Sequence, residues 1–79
     1  MNYVYVLKSK LFNEIYVGHT TDLKQRLKDH NFGKSPHTSK FKPWLVVTYC
    51  AFDNAQTAIN FEKYLKTGSG RAFIKRHFI

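Results

Sequence analysis

Two short runs near the start of the chain, NYVYVLK (residues 2–8) and EIYVGH (residues 14–19), constrain the fold more than any other feature. Both are dense in β-branched and aromatic residues, and only the polar-flanked link SKLFN separates them. Residues of this kind suit a pleated, half-buried surface, so two such runs around a short link predict an antiparallel hairpin. Tyr5 and Tyr16 then stand on neighbouring strands. Gly18, which lacks a Cβ, lets a ligand approach the second strand closely.

The segment TTDLKQRLKDHN follows as a short basic helix. Thr21 or Asp22 caps it, Leu23 and Leu27 form its buried stripe, and Gly33 ends it. The stretch FGKSPHTSKFKP (32–43), with its glycine, two prolines and small polar residues, predicts a mobile connecting loop that could clamp a phosphate backbone. WLVVTYCAF (44–52) is apolar on both faces, which places it inside the sheet or against a helix layer. DNAQTAINFEKYLKTGSG (53–70) starts from an Asp53 or Asn54 cap, runs as a helix and breaks at Gly68 and Gly70. RAFIKRHF makes one last short helix. With 79 residues and no repeat or linker, a single domain over 1–79 is expected. A chain this short buries only roughly 60% of its unfolded surface. Seven Phe, five Tyr and one Trp are expected to supply much of that limited core.

Thirteen Lys and Arg against five Asp and Glu leave a net charge of +8, which favours a polyanionic partner over small neutral ligands. Membrane attachment lacks the amphipathic helix or lipid anchor that it requires. The single cysteine, Cys50, excludes a disulfide framework within one chain and fits a reducing compartment. Residues 2 to 7 already read as a strand rather than a signal peptide, and no apolar run approaches the ~20 residues of a membrane span, so a cytoplasmic location is expected.

Helical residues four apart share a face, so Arg26 and His30 project together beside the Leu23 and Leu27 stripe and border the core. On the later helix, Ala55, Ala58, Ile59 and Leu65 define the inward stripe, and Glu62 falls within it. An ionised carboxylate there needs a cation, which is either a nearby Lys66 or Arg26 or a bound metal. His19, His37 and His77 have no convincing zinc-ligand spacing, and one cysteine cannot build a cysteine-rich zinc site.

Taken together, YVY at 3–5, YVG at 16–18 and GHTTDLKQRLKDH after it resemble the signature of the GIY-YIG nuclease superfamily, and the resemblance spans nearly the whole chain. It implies an α+β fold, a three-stranded antiparallel sheet flanked by helices, and a phosphodiester hydrolase using one divalent metal. Tyr5 matches the tyrosine of the first motif and Tyr16 that of the second. Arg26 matches the helix arginine, Glu62 the metal ligand for Mg²⁺ or Mn²⁺, and His30 a position held by Tyr or His in relatives. Tyr3 stands where glycine is usual. The asparagine that follows the glutamate helix in many relatives is replaced by Phe73, Ile74 and Lys75, which leaves Lys66, Ser69 or Arg71 to stand in. His19, Lys24, Lys28, Lys34, Lys40, Lys42, Lys66 and Arg71 are the expected nucleic-acid track, for DNA or RNA. The rival expectation is a non-catalytic nucleic-acid-binding module. With no separate targeting domain, specificity comes from loop 32–43, from dimerisation or from a partner protein.

Overall fold

A computed structural model describes residues 1–79. Seven elements follow one another: β1 (Asn2–Ser9), β2 (Ile15–Thr20), α1 (Leu23–Phe32), α2 (Pro36–Ser39), β3 (Trp44–Phe52), α3 (Ala55–Leu65) and α4 (Gly68–His77). The strands form one antiparallel sheet in the order β2-β1-β3. This is the three-stranded α+β architecture that the resemblance implies.

β1 occupies the centre because its residues alternate between two apolar faces. Val4 and Val6 pack with Val17 against Ala58 and Leu65 of α3 and Ile74 of α4. Tyr5 and Leu7 point the other way, packing with Trp44, Tyr16 and Phe41 and with Leu23 and Leu27 of α1. All four β1 side chains are buried. Each fully buried aliphatic side chain contributes about 1.5–3 kcal/mol. The hairpin register sets Tyr5 opposite Gly18 and Leu7 opposite Tyr16.

The helix starts follow from side-chain caps. Asp22 Oδ1 accepts from the Gln25 amide at 3.1 Å, Asn54 Oδ1 from the Thr57 amide at 3.1 Å, and Thr67 Oγ1 from the Gly70 amide at 3.1 Å. Each satisfies an amide that a first helical turn leaves without a partner. Gly33 closes α1 at φ 80°, the left-handed conformation that glycine adopts without strain.

Several expectations are corrected. The apolar run over 44–52 lies at the edge of the sheet and not inside it. Of the two expectations the helix-layer one holds, since Val47 and Phe52 pack against the core formed with α3 and α4, while Leu45, Val46 and Tyr49 are exposed. With only three strands the centre is a single position, and β1 takes it because the hairpin closes on one side of it. A continuous apolar run does not distinguish that centre from an edge of which only Trp44, Val47 and Phe52 pack into the core. Segment 32–43 is not a bare loop, since Pro36 opens the short α2, where its fixed φ suits a first helical position. Thr38 is buried, and its carbonyl accepts from the Trp44 indole at 2.9 Å.

Gly68 and Gly70 do not break a helix; they form the first turn of α4. Gly70 is required because a Cβ there would lie 1.9 Å from the carbonyl oxygen of Tyr64, where α4 crosses the end of α3. Ala55, at the first turn of α3, is exposed and lies outside the inward stripe. The aromatic core is smaller than expected. Only Tyr5 and Trp44 are fully buried, while Phe52, Phe61, Phe73 and Phe78 pack around an aliphatic centre.

Candidate active site

The outer edge of β2 is where the two faces of the sheet meet, and the candidate residues converge there. The Tyr5 ring crosses from β1 over Gly18, where a Cβ would sit 2.5 Å from its hydroxyl and 3.0 Å from the Tyr16 ring. Gly18 therefore makes room for a side chain of the protein itself. The Tyr5 and Tyr16 rings lie 6.2 Å apart, centre to centre. Arg26 of α1 faces both phenols, near enough for their oxygens to favour its charge.

Behind Tyr5, His30, expected to border the core, is completely buried. Its Nε2 lies 2.9 Å from the Tyr5 hydroxyl and its Nδ1 2.8 Å from Thr38 Oγ1. The Tyr5 hydroxyl and His30 Nε2 share one hydrogen bond, and His30 Nδ1 and the Thr38 hydroxyl share the other. A hydrogen-bonded chain thus runs from Thr38 of α2 through His30 to Tyr5, whose oxygen lies beside the Arg26 guanidinium.

Charges in this chain follow from burial. Desolvation pushes the Tyr5 phenol up to about 12, with Arg26 pulling the other way. Burial, and then the Arg26 charge, hold His30 below its ordinary value. Burial also disfavours charge on Arg26, but the Tyr5 and Tyr16 oxygens outweigh it and keep the guanidinium protonated. A histidine whose folded value is depressed binds fewer protons folded than unfolded. Stability is then complete above the unfolded value near 6.5 and declines as pH falls below it. Urea midpoints measured from about pH 7.5 down to 5 should therefore fall in the wild type, with a shallower slope in His30→Gln.

Glu62 of α3 approaches the same edge from the other face of the sheet. Its Oε1 lies 2.5 Å from His19 Nδ1 and its Oε2 2.8 Å from Lys66 Nζ. Burial raises its pKa, but the hydrogen bonds from Lys66 and His19 prevail and hold it below the usual carboxylate range. Of the cations expected, Lys66 rather than Arg26 makes the ion pair. The Glu62 charge still reaches Tyr5 and helps to raise it.

No cluster of three or more His, Cys, Asp or Glu side chains could hold a metal ion, so Glu62 is a lone carboxylate. That donor set does not suit zinc. It fits Mg²⁺ or Mn²⁺, hard cations that keep several waters and take one or two carboxylate oxygens. The Lys66 side chain is 48% exposed and free to swing off Oε2.

A cleft of about 350 Å³ opens beside these residues, lined by Ile15, Tyr16, Val17, His37, Lys66 and Arg71. Lys66 and Arg71 are thus gathered at the site, and His19 is bound to Glu62. Lys24 and Lys28 are not gathered. At 3.6 residues per turn they project from the side of α1 opposite Arg26, and Lys24 lines a separate cleft with Tyr3, Leu23 and Tyr49. Lys34 pairs with Asp29 at 3.7 Å, and Lys40 and Lys42 are exposed after α2. Sequence reasoning set His37 aside and gave Thr38 no role. The Ser-Pro helix start at 35–36 is the signal that α2 presents one to the cleft and buries the other.

A three-stranded antiparallel sheet flanked by helices, with two tyrosines, an arginine of α1 and a carboxylate of α3 toward one edge, is the α+β class expected of a nuclease-type domain. A family model described as the GIY-YIG catalytic domain matches residues 1–76, and the chain belongs to that family. It is similar to the UPF0213 proteins SpyM3_1077 and SpyM50708 of Streptococcus pyogenes serotypes M3 and M5. Each is 35% identical over 80 residues, covering 95% of this chain and 86% of the relative. The solution NMR structure of the UPF0213 protein BH0048 from Bacillus halodurans is similar at 30% identity and a TM-score of 0.59. That match covers 99% of this chain and 87% of the other. No helix is long and apolar enough to cross a membrane.

Proposed function

We infer that the chain is a divalent-metal-dependent endonuclease that hydrolyses phosphodiester bonds in DNA, structure-directed or non-specific, with RNA as the other nucleic acid it could take. Its place is the cytoplasm, in repair or recombination. The observation that carries this reading is Arg26 facing two phenols, of which Tyr16 lines a basic cleft, with an ionised carboxylate at the same edge.

Glu62 would hold the metal, which when bound supplies Lewis acidity at the phosphoryl and leaving oxygens. Arg26 binds the scissile phosphate and stabilises the charge that grows on its non-bridging oxygens. Tyr16, the more exposed phenol, lines the cleft and orients the attacking water. Tyr5, buried and pushed up to about 12, stays protonated and positions Arg26. His30 cannot be the base, because it is buried and both ring nitrogens are engaged. On this reading the base role passes to His37, which lines the same cleft as Tyr16 with its ring 6.5 Å from the Tyr16 ring, centre to centre.

A second reading is favoured by one observation. Both Glu62 oxygens already have partners, His19 Nδ1 and Lys66 Nζ, as in a non-catalytic nucleic-acid-binding module that keeps the nuclease fold. Incubating the purified protein with single-stranded, nicked and branched DNA, and with RNA, in Mg²⁺ or Mn²⁺ separates the two. The endonuclease reading expects cleavage that chelation abolishes and that Glu62→Gln lowers by about 10² or more. Binding without cleavage, unchanged in Glu62→Gln, would instead establish the module.

A further inference from the structure

Leu11 and Phe12 sit at the tip of the β1–β2 hairpin with little of the chain over them. Leu11 is 71% exposed and Phe12 47%. The tip is nevertheless firmly held. The buried Ser9 hydroxyl donates to the Phe41 carbonyl at 2.6 Å and accepts from the Phe12 amide at 3.0 Å. The Ser9 amide donates to the Glu14 carbonyl at 2.9 Å, and the Lys10 amide to the Pro43 carbonyl at 3.0 Å. The Phe12 ring stands edge-on to Phe41 at 5.5 Å. A pre-ordered apolar projection loses little conformational freedom when it inserts into a partner.

Its surroundings select the partner. Lys8 and Lys10 flank the tip along the chain, Lys40 and Lys42 bracket Phe41 beneath it, and all four are exposed; Glu14 is the carboxylate nearby. On a chain of net charge +8, this rim repels a second copy and attracts a polyanion. Apolar side chains presented beside cations are the means by which proteins pry apart base steps. The tip also leads straight into the cleft, because Tyr16 lies four residues beyond Phe12. At about 3.3 Å per residue the separation is at most roughly 13 Å, since the chain bends at the tip, or no more than about four stacked base steps.

We propose that Leu11 and Phe12 are a wedge that enters a weakened base stack within about four steps of the scissile phosphate. The substrate class is then a nucleic acid with a nick, flap or branch, in preference to continuous duplex. The proposal rests on the endonuclease reading for the cut and on the hairpin tip for the choice of substrate.

The test places 2-aminopurine, which brightens when unstacked, at the branch point of a flapped DNA duplex, with the protein added in EDTA. Wild type should raise the fluorescence, and the double variant Leu11→Ser, Phe12→Ser should not. In Mn²⁺, the ratio of flapped to continuous duplex cleaved should fall about tenfold in that variant while single-stranded DNA is cut as before. Circular dichroism confirms that the variant is folded. Equal fluorescence and an equal ratio in the two proteins overturn the wedge. So does gel filtration showing that wild type self-associates and the double variant does not. A wild-type fluorescence rise without any cleavage keeps the wedge and removes the endonuclease.

Discussion

Arg26→Ala is expected to lower the rate of phosphodiester cleavage by roughly 10²–10³ while leaving nucleic-acid affinity within a fewfold of wild type. The separation follows from what the side chain does. The other basic groups at the cleft, Lys66 and Arg71, remain to attract the phosphate backbone. What disappears is the group poised where negative charge increases in the transition state. The Tyr5 hydroxyl keeps His30 as a partner, so no buried polar group is orphaned and the variant should melt close to wild type. Arg26→Lys keeps the charge but not the planar fork, and should recover only part of the loss. Single-turnover cleavage of a labelled duplex, beside a binding titration in EDTA, reads both quantities. Wild-type cleavage by Arg26→Ala would remove the arginine from the chemistry.

The largest expected effect on stability is at Gly70. A Cβ there would meet the Tyr64 carbonyl oxygen at 1.9 Å and the Leu65 Cα at 2.5 Å, both backbone atoms that no rotamer change can move. Overpacking typically costs 1–3 kcal/mol where side chains can adjust. Here α4 must lift off the end of α3, so Gly70→Ala should cost about 3 kcal/mol or more. For a chain of this size that corresponds to a fall of roughly 12–24 °C in Tm. Gly68 supplies the contrast within the same turn, because a Cβ there meets nothing within 4 Å. Gly68→Ala should be neutral or stabilise by up to about 1 kcal/mol. Thermal melts by circular dichroism decide both, and a Gly70→Ala protein melting with wild type would mean that the two helices do not cross so closely.

The sequence made the hairpin, α1 and its caps readable because these are local: alternation, a capping Asp22 and a terminal Gly33 all act within a few residues. The pairing of Tyr5 with Tyr16 followed from the short link between their strands. The place of β3 did not follow, since nothing in WLVVTYCAF says that another strand has already claimed the centre. Gly70 was misread for a similar reason: a glycine that permits a close helix crossing looks, in one dimension, like a glycine that ends a helix. Glu62 stood out as an inward carboxylate with Lys66 four residues on as one legible cation, but the His19 contact to its other oxygen depended on how α3 lies against β2. His30 was visible as a neighbour of Arg26 on α1. Its complete enclosure was not, because Thr38, which closes it off, lies in a segment that reads as a loop.

The arrangement at β2 has a consequence for how activity should be interpreted. Arg26 and the phenols reach the edge from one side of the sheet, Glu62 from the other, and neither half is retained if its own helices detach. On the endonuclease reading, a partly formed molecule has no fractional turnover, and specific activity counts intact molecules. Conditions or substitutions that loosen either layer would then appear in an assay as fewer competent copies, each cutting at full speed.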